Sequence, residues 1–90
     1  MTAVATVEIY TKLACPYCWR AKELLRSKGV EYREISVDWG GDDRQTMLQR
    51  AKGRTTVPQI FIGERHVGGC DELVALERAG KLDELLTSAA

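Results

Sequence analysis

The period of the hydrophobic positions changes several times along the chain. Val4 to Tyr10 reads Val-Ala-Thr-Val-Glu-Ile-Tyr, a β-branched run bounded by Thr11-Lys12, which predicts a strand. From Cys15-Pro16 the spacing becomes helical. Cys18, Ala21 and Leu25 fall on one face with Leu24 beside them, while Arg20, Lys22, Glu23 and Arg26 point outward. Pro16 suits the first turn of a helix, where its missing N–H costs nothing, and Gly29 supplies the residue just past the end. Glu31 to Val37 alternates again and predicts a second strand. A strand, a helix and a strand within about 35 residues make a βαβ unit.

Trp39-Gly40-Gly41 reads as a turn. Asp42 is expected to cap the next helix, with Gln45 completing a capping box, and that helix should run to about Lys52 and stop at Gly53. Met47 and Leu48 are its expected core residues. Gln59-Ile60-Phe61-Ile62 and Arg65-His66-Val67 flank the tight turn Gly63-Glu64, which predicts an antiparallel hairpin. Gly68-Gly69-Cys70-Asp71 opens a third helix carrying Leu73, Val74 and Leu76. Gly80 breaks it, and Leu82, Leu85 and Leu86 form a short last helix. The order βαβ-α-ββ-α-α predicts an α/β fold, a four-stranded mixed sheet with helices on both faces.

Size and charge narrow the class. Ninety residues fit one domain spanning 1–90. Lysine plus arginine and aspartate plus glutamate number 13 each, so no global field argues for nucleic acid or an anionic membrane as partner. The apolar runs fall far short of the roughly 20 residues needed to span a bilayer. Thr2 to Glu8 leads straight into the first strand pattern with no secretory signal, so a cytoplasmic protein is expected. Three cysteines are too few, and odd in number, for a secreted disulfide scaffold. Two of them stand three apart, a spacing that points to reactivity or metal binding.

Cys15-Pro16-Tyr17-Cys18 gives its two thiols different environments. Cys15 lies at the cap of the first helix, where unpaired backbone N–H groups, the helix dipole and nearby Lys12 all favour an anion. A free cysteine with pKa ~8.5 is only about 3% thiolate at pH 7, so a lowered value changes its reactivity. The gain is partly offset by lower intrinsic nucleophilicity, with a Brønsted slope of about 0.4–0.5. Cys18 shares a face with Ala21 and Leu25 and should be partly buried. Cys15 is thus the expected attacking thiol and Cys18 the resolving one. A competing reading is a zinc site made from Cys15, Cys18, His66 and Cys70. No second Cys-x-x-Cys supports it, and Pro16 stiffens the turn at a helix start. His66 has no evident catalytic partner and reads as structural or surface.

Tyr10-Thr11-Lys12, Cys15-Pro16-Tyr17-Cys18, Thr56-Val57-Pro58 and Gly68-Gly69-Cys70-Asp71 together resemble the dithiol glutaredoxins, in particular the bacterial glutaredoxin 3 type. The likeness runs from about Val7 to Leu86 in matching order. It implies a thioredoxin fold and an oxidoreductase that uses glutathione as co-substrate and holds no metal. It also implies regeneration of glutathione by a glutathione reductase with NADPH. The expected partners are glutathione and glutathionylated or disulfide-bonded proteins, with the chain acting as a monomer.

By that resemblance the Val57-Pro58 peptide bond is cis, and the Val57 backbone is free to pair with the extended backbone of glutathione. The alternative is that Pro58 merely starts an edge strand. Gly69, Cys70 and Asp71 would hold the γ-glutamyl end, with Asp71 facing its ammonium group, or Asp71 would simply cap the helix. Lys12, with either Arg44 or Gln45, would meet the glycyl carboxylate. Thr56 and Tyr17 would line the groove, an exposed surface aromatic being the other account of Tyr17. Cys70 reads as a small semi-buried residue supplying backbone contacts, or as a second oxidation site or subunit link. Trp19 stands about 100° from Cys18 on the helical wheel and should border the groove. A different function within the same resemblance is a dimeric carrier of a [2Fe–2S] cluster ligated by Cys15 and glutathione. Relatives of that kind usually have an altered motif, and Pro16 argues against it.

Overall fold

The computed structural model describes residues 5–87. Its elements in chain order are β1 (Val7–Thr11), α1 (Pro16–Ser27), β2 (Arg33–Ser36), α2 (Gly41–Arg50), β3 (Gln59–Ile62), β4 (Arg65–Gly68), α3 (Cys70–Arg78) and α4 (Leu82–Thr87). This is the order that the hydrophobic pattern predicts. The first strand is shorter than expected at its start. It begins at Val7, and Val4 of the expected run lies outside the described residues.

The four strands form one sheet in the order β2-β1-β3-β4. β1 pairs with β2 in parallel, while β1 with β3 and β3 with β4 are antiparallel. Alternation along β1 and β3 then decides the layers. Val7, Ile9, Ile60 and Ile62 face Ala21 and Leu25 of α1, Leu73 of α3, and Leu82 and Leu86 of α4. Tyr10 and Phe61 face the other way, joining Ile35 and Val37 against Met47 of α2 and Ala51 just past its end. Among the described residues three helices therefore cover one face and a single helix covers the other.

Two helix ends depart from the sequence reading. The capping box expected between Asp42 and Gln45 does not form. Gly40 is the cap residue of α2, with no side-chain hydrogen bond, and Gly40 and Gly41 hold φ of 70° and 73°. The chain therefore enters the helix two residues earlier, and Asp42 and Asp43 sit inside the first turn. There their charge complements the helix dipole without capping it. At the other end α2 stops at Arg50, because the chain turns left-handed at Lys52 (φ 56°) and Gly53 (φ 89°).

The topology brings three distant segments to one end of the sheet. β1 ends at Thr11 and leads through Lys12 to Cys15 at the start of α1. Antiparallel pairing sets Tyr10 opposite Gln59, so the residues just before β3, Thr56-Val57-Pro58, lie beside that exit. β3 in turn sets Ile60 opposite Gly68, and β4 leads directly into Gly69 and the start of α3.

Candidate active site

Cys15 is the N-cap of α1 and Pro16 its first helical residue. The cap residue has extended backbone angles, so its side chain turns back over the first turn. The Cys18 N–H donates to the Cys15 Sγ at 3.1 Å, one of the donors that the helix leaves without an internal partner. Cys15 and Cys18 are joined in a disulfide, with Cα atoms 5.2 Å apart. Cys18 is buried on the face shared with Ala21 and Leu25, and Cys15 is half-buried. This is the inequality that the helical period predicts: one sulfur at the surface and the other behind it.

The Val57–Pro58 bond is cis. The Cys15 Sγ lies 4.0 Å from the Val57 carbonyl oxygen, which ties the dithiol to the loop before β3. Among the described residues neither the N–H nor the carbonyl of Val57 enters a backbone hydrogen bond. That loop is itself held from behind. Gln59, fully buried, donates through Nε2 to the Thr56 carbonyl at 2.9 Å and to Thr56 Oγ1 at 3.2 Å. Its Oε1 lies 2.7 Å from His66 Nε2, and the His66 ring stacks on Phe61 at 4.9 Å between centroids. His66 is therefore a structural residue that braces a buried amide. Burial, followed by nearby Arg54 and Lys52, pushes its pKa down.

Two concave surfaces flank the start of α1, one lined by Cys15 itself and the other by Val57, whose carbonyl lies next to the Cys15 Sγ. A cleft of about 130 Å³ is lined by Tyr17, Thr56, Val57, Pro58, Gly69, Cys70 and Asp71 together with Arg54 and Glu72. Seven of the residues expected from sequence to meet a ligand thus converge there. Lys12 is not among them. It lines a separate groove of about 590 Å³ with Cys15, Cys18, Trp19, Lys22 and Asp38. Trp19 is 61% exposed there, bordering the dithiol rather than the core. Arg44 and Gln45 line neither surface, and Gln45 is exposed on α2.

The start of α3 rules out one of the two readings of Asp71. Asp71 does not cap the helix. Gly69 is the cap residue, and the Glu72 carboxylate accepts its N–H at 3.0 Å. The reason is reach: Glu72 stands three residues past the cap, the spacing of the acidic half of a capping box. The Asp71 side chain is left exposed at the cleft. Glu72 also pairs with Arg54 Nη1 at 2.8 Å. Its carboxyl is held below the ordinary range, first by the Gly69 N–H and then by Arg54. Neither Arg54 nor Glu72 figures in the sequence reading. The Gly69-to-Glu72 spacing could have signalled the second, whereas Arg54 is brought in only by tertiary pairing. Cys70 is buried beside the cleft, and burial pushes its thiol pKa up. Among the described residues no group of three or more His, Cys, Asp or Glu side chains is arranged to hold a metal ion. No helix among them is long and apolar enough to cross a membrane.

Comparison with known proteins agrees with this geometry. The glutaredoxin family model matches residues 7–67. Glutaredoxin 3 of Escherichia coli K12 is 58% identical over 83 residues, covering 92% of this chain and 99% of the relative. The solution structure of glutaredoxin from Brucella melitensis superposes with a TM-score of 0.80 at 55% identity, covering 93% of this chain and 90% of that one. The crystal structure of a buckwheat glutaredoxin–glutathione complex gives 0.81 at 37% identity, covering 92% and 77%. With a Cys-x-x-Cys disulfide capping α1 and a four-stranded mixed sheet of this order, the chain belongs to the glutaredoxin family of thiol-disulfide oxidoreductases.

Proposed function

We propose that the protein reduces glutathione mixed disulfides through Cys15 alone and protein disulfides through Cys15 and Cys18 together. The observation that carries this reading is the position of the Cys15 Sγ. It accepts the Cys18 N–H at the helix start, bonds to a buried second cysteine and lies next to the Val57 carbonyl. In the first route the Cys15 thiolate attacks the glutathionyl sulfur, and the substrate thiolate leaves. A second glutathione thiolate then attacks that same sulfur, releasing glutathione disulfide and restoring the Cys15 thiolate. In the second route Cys15 forms a mixed disulfide with a protein cysteine. Cys18 gives up its proton and attacks the Cys15 sulfur, the protein thiolate leaves, and the Cys15–Cys18 disulfide remains. Two glutathiones return it to the dithiol.

The cleft supports glutathione as the ligand. The unpaired Val57 backbone can take an extended peptide, and the first N–H groups of α3 suit a carboxylate. The exposed Asp71 carboxylate suits an ammonium. In this reading Tyr17, Thr56 and Pro58 wall the ligand and Gly69 and Cys70 present backbone to it. Lys12 and Gln45, which do not line the cleft, are assigned to its far carboxylate only if the ligand extends past Cys15. We read residues 1–90 as one domain acting as a monomer in the cytoplasm.

Two variants test the proposal. Cys15→Ser should abolish both activities. Cys18→Ser should keep reduction of a glutathione mixed disulfide and lose reduction of a protein disulfide in the absence of glutathione. Retained turnover in Cys15→Ser would sink the assignment. A coloured, cluster-bearing protein without turnover would point to the carrier function instead.

A further inference from the structure

We propose that Arg54 is a positioning residue for glutathione, acting by neutralising Glu72 at the mouth of the cleft. The inference rests on the glutathione reading above and adds a pair of residues to it. Arg54 lies in the loop after α2, two residues before Thr56, and Glu72 in the first turn of α3. Their side chains are 45% and 42% exposed, and their ion pair is 2.8 Å. One oxygen of Glu72 serves both the Arg54 guanidinium and the Gly69 N–H. That single atom therefore fastens the loop carrying Thr56-Val57-Pro58 to the start of α3, the two walls of the cleft. The pair closes over Gly68, whose φ is 114° and where a Cβ would collide with Glu72 Oε1 and stand 2.9 Å from Arg54 Nη1.

Charge gives the pair its consequence. The first N–H groups of α3 attract a carboxylate, yet Glu72 fixes a negative charge beside them. A ligand carboxylate arriving at Cys70 and Asp71 would meet that charge at short range, in a cleft only partly screened by solvent. Arg54 cancels it. Glu72 already occupies the Gly69 N–H, so the donors of Cys70 and Asp71 are those left for the ligand. A pair this exposed contributes little to folding, so its effect falls on binding.

The test uses steady-state kinetics with the mixed disulfide of glutathione and cysteamine as the probe. Arg54→Ala should raise KM about fivefold, the scale expected of one uncompensated, partly screened charge, with kcat within about twofold. Arg54→Lys should restore KM to within about twofold of the original value, since it returns the charge. The double variant Arg54→Ala with Glu72→Gln should also return to that range, because glutamine still accepts the Gly69 N–H but carries no charge. An unchanged KM in Arg54→Ala overturns the inference, as does a double variant impaired as much as Arg54→Ala. Should Arg54→Ala fail to fold, Glu72→Gln alone decides. Its KM should equal or fall below the starting value, and a fivefold rise contradicts neutralisation. If the unmodified protein shows no saturable turnover of the probe, the glutathione reading itself has failed, a distinct result.

Discussion

The backbone N–H of Cys18 donates to the sulfur of Cys15 at 3.1 Å, so the second cysteine of the motif supports the first through its main chain as well as its thiol. These two contributions separate on mutation. Cys18→Ser removes the resolving thiol and leaves the N–H donor in place. Ultraviolet titration should therefore find the Cys15 thiolate of that variant still well below the ~8.5 of an ordinary cysteine. Replacing Pro16 by glycine loosens the first turn that aims this donor, and the Cys15 pKa should rise.

Gly68 sits where β4 turns into α3, at φ 114°, beneath the Arg54–Glu72 pair. An alanine there takes up a left-handed conformation that disfavours side chains, and its Cβ displaces the Glu72 carboxylate. The atoms that it meets belong to the ends of two flexible side chains, Glu72 and Arg54, so the protein should fold. Gly68→Ala should lose about 1–3 kcal/mol of stability, measured by denaturant unfolding. It should also weaken glutathione binding more than a surface Gly→Ala such as that at Gly80, which has open space around it.

Acid should weaken the fold in two stages. His66 has its pKa lowered by burial, then by the charges of Arg54 and Lys52. The unfolded chain thus binds the proton more readily, and stability present above ~6.5 is lost as pH falls through the lower folded value. Glu72, lowered from 4.5 by the Gly69 N–H and then Arg54, repeats that sign further down. Urea midpoints should fall from pH 7.5 to 5.5. In His66→Gln, which keeps a donor for Gln59 but does not titrate, that interval should flatten. An equal slope in both proteins would exclude His66 as its source.

Leu25 of α1 and Leu73 of α3 are fully buried in the cluster that seats both helices on the sheet. Either one changed to alanine should cost about 2–5 kcal/mol of unfolding free energy. Leu25→Ala should cost activity as well, because α1 carries Cys15 at its start. A loss of stability below 1 kcal/mol, read from the same denaturant curves, would contradict the packing described.

Much of the fold is written in local spacing. The Cys18-Ala21-Leu25 period places α1, and Gly29 and Gly80 mark ends because each follows a helix at positive φ. Gln59–Ile62 is a short strand with all four residues buried, as its largely apolar run suggests. The strand is covered on both faces, so Ile60 to Ile62 are apolar without alternation and the one polar residue, Gln59, is hydrogen-bonded. The cap expected at Asp42 of α2 and the alternative cap at Asp71 of α3 fail for one reason. Asp42 and Asp71 have capping side chains, but the glycines before them set where each helix begins. Within the site, residues joined by motif were legible from sequence: Cys15 with Cys18, Val57 with Pro58, and Gly69 to Asp71. Arg54 was not, because its role arises from an ion pair 18 residues distant in sequence.

The most direct measurement follows the Cys15 thiolate by ultraviolet absorbance across pH, in parallel with the rate of reduction of a small glutathione mixed disulfide. The expected result is a thiolate pKa well below the ~8.5 of free cysteine, with the rate tracking thiolate at the low-pH end. A Cys15 that titrates like free cysteine and gives no turnover would contradict the proposed mechanism.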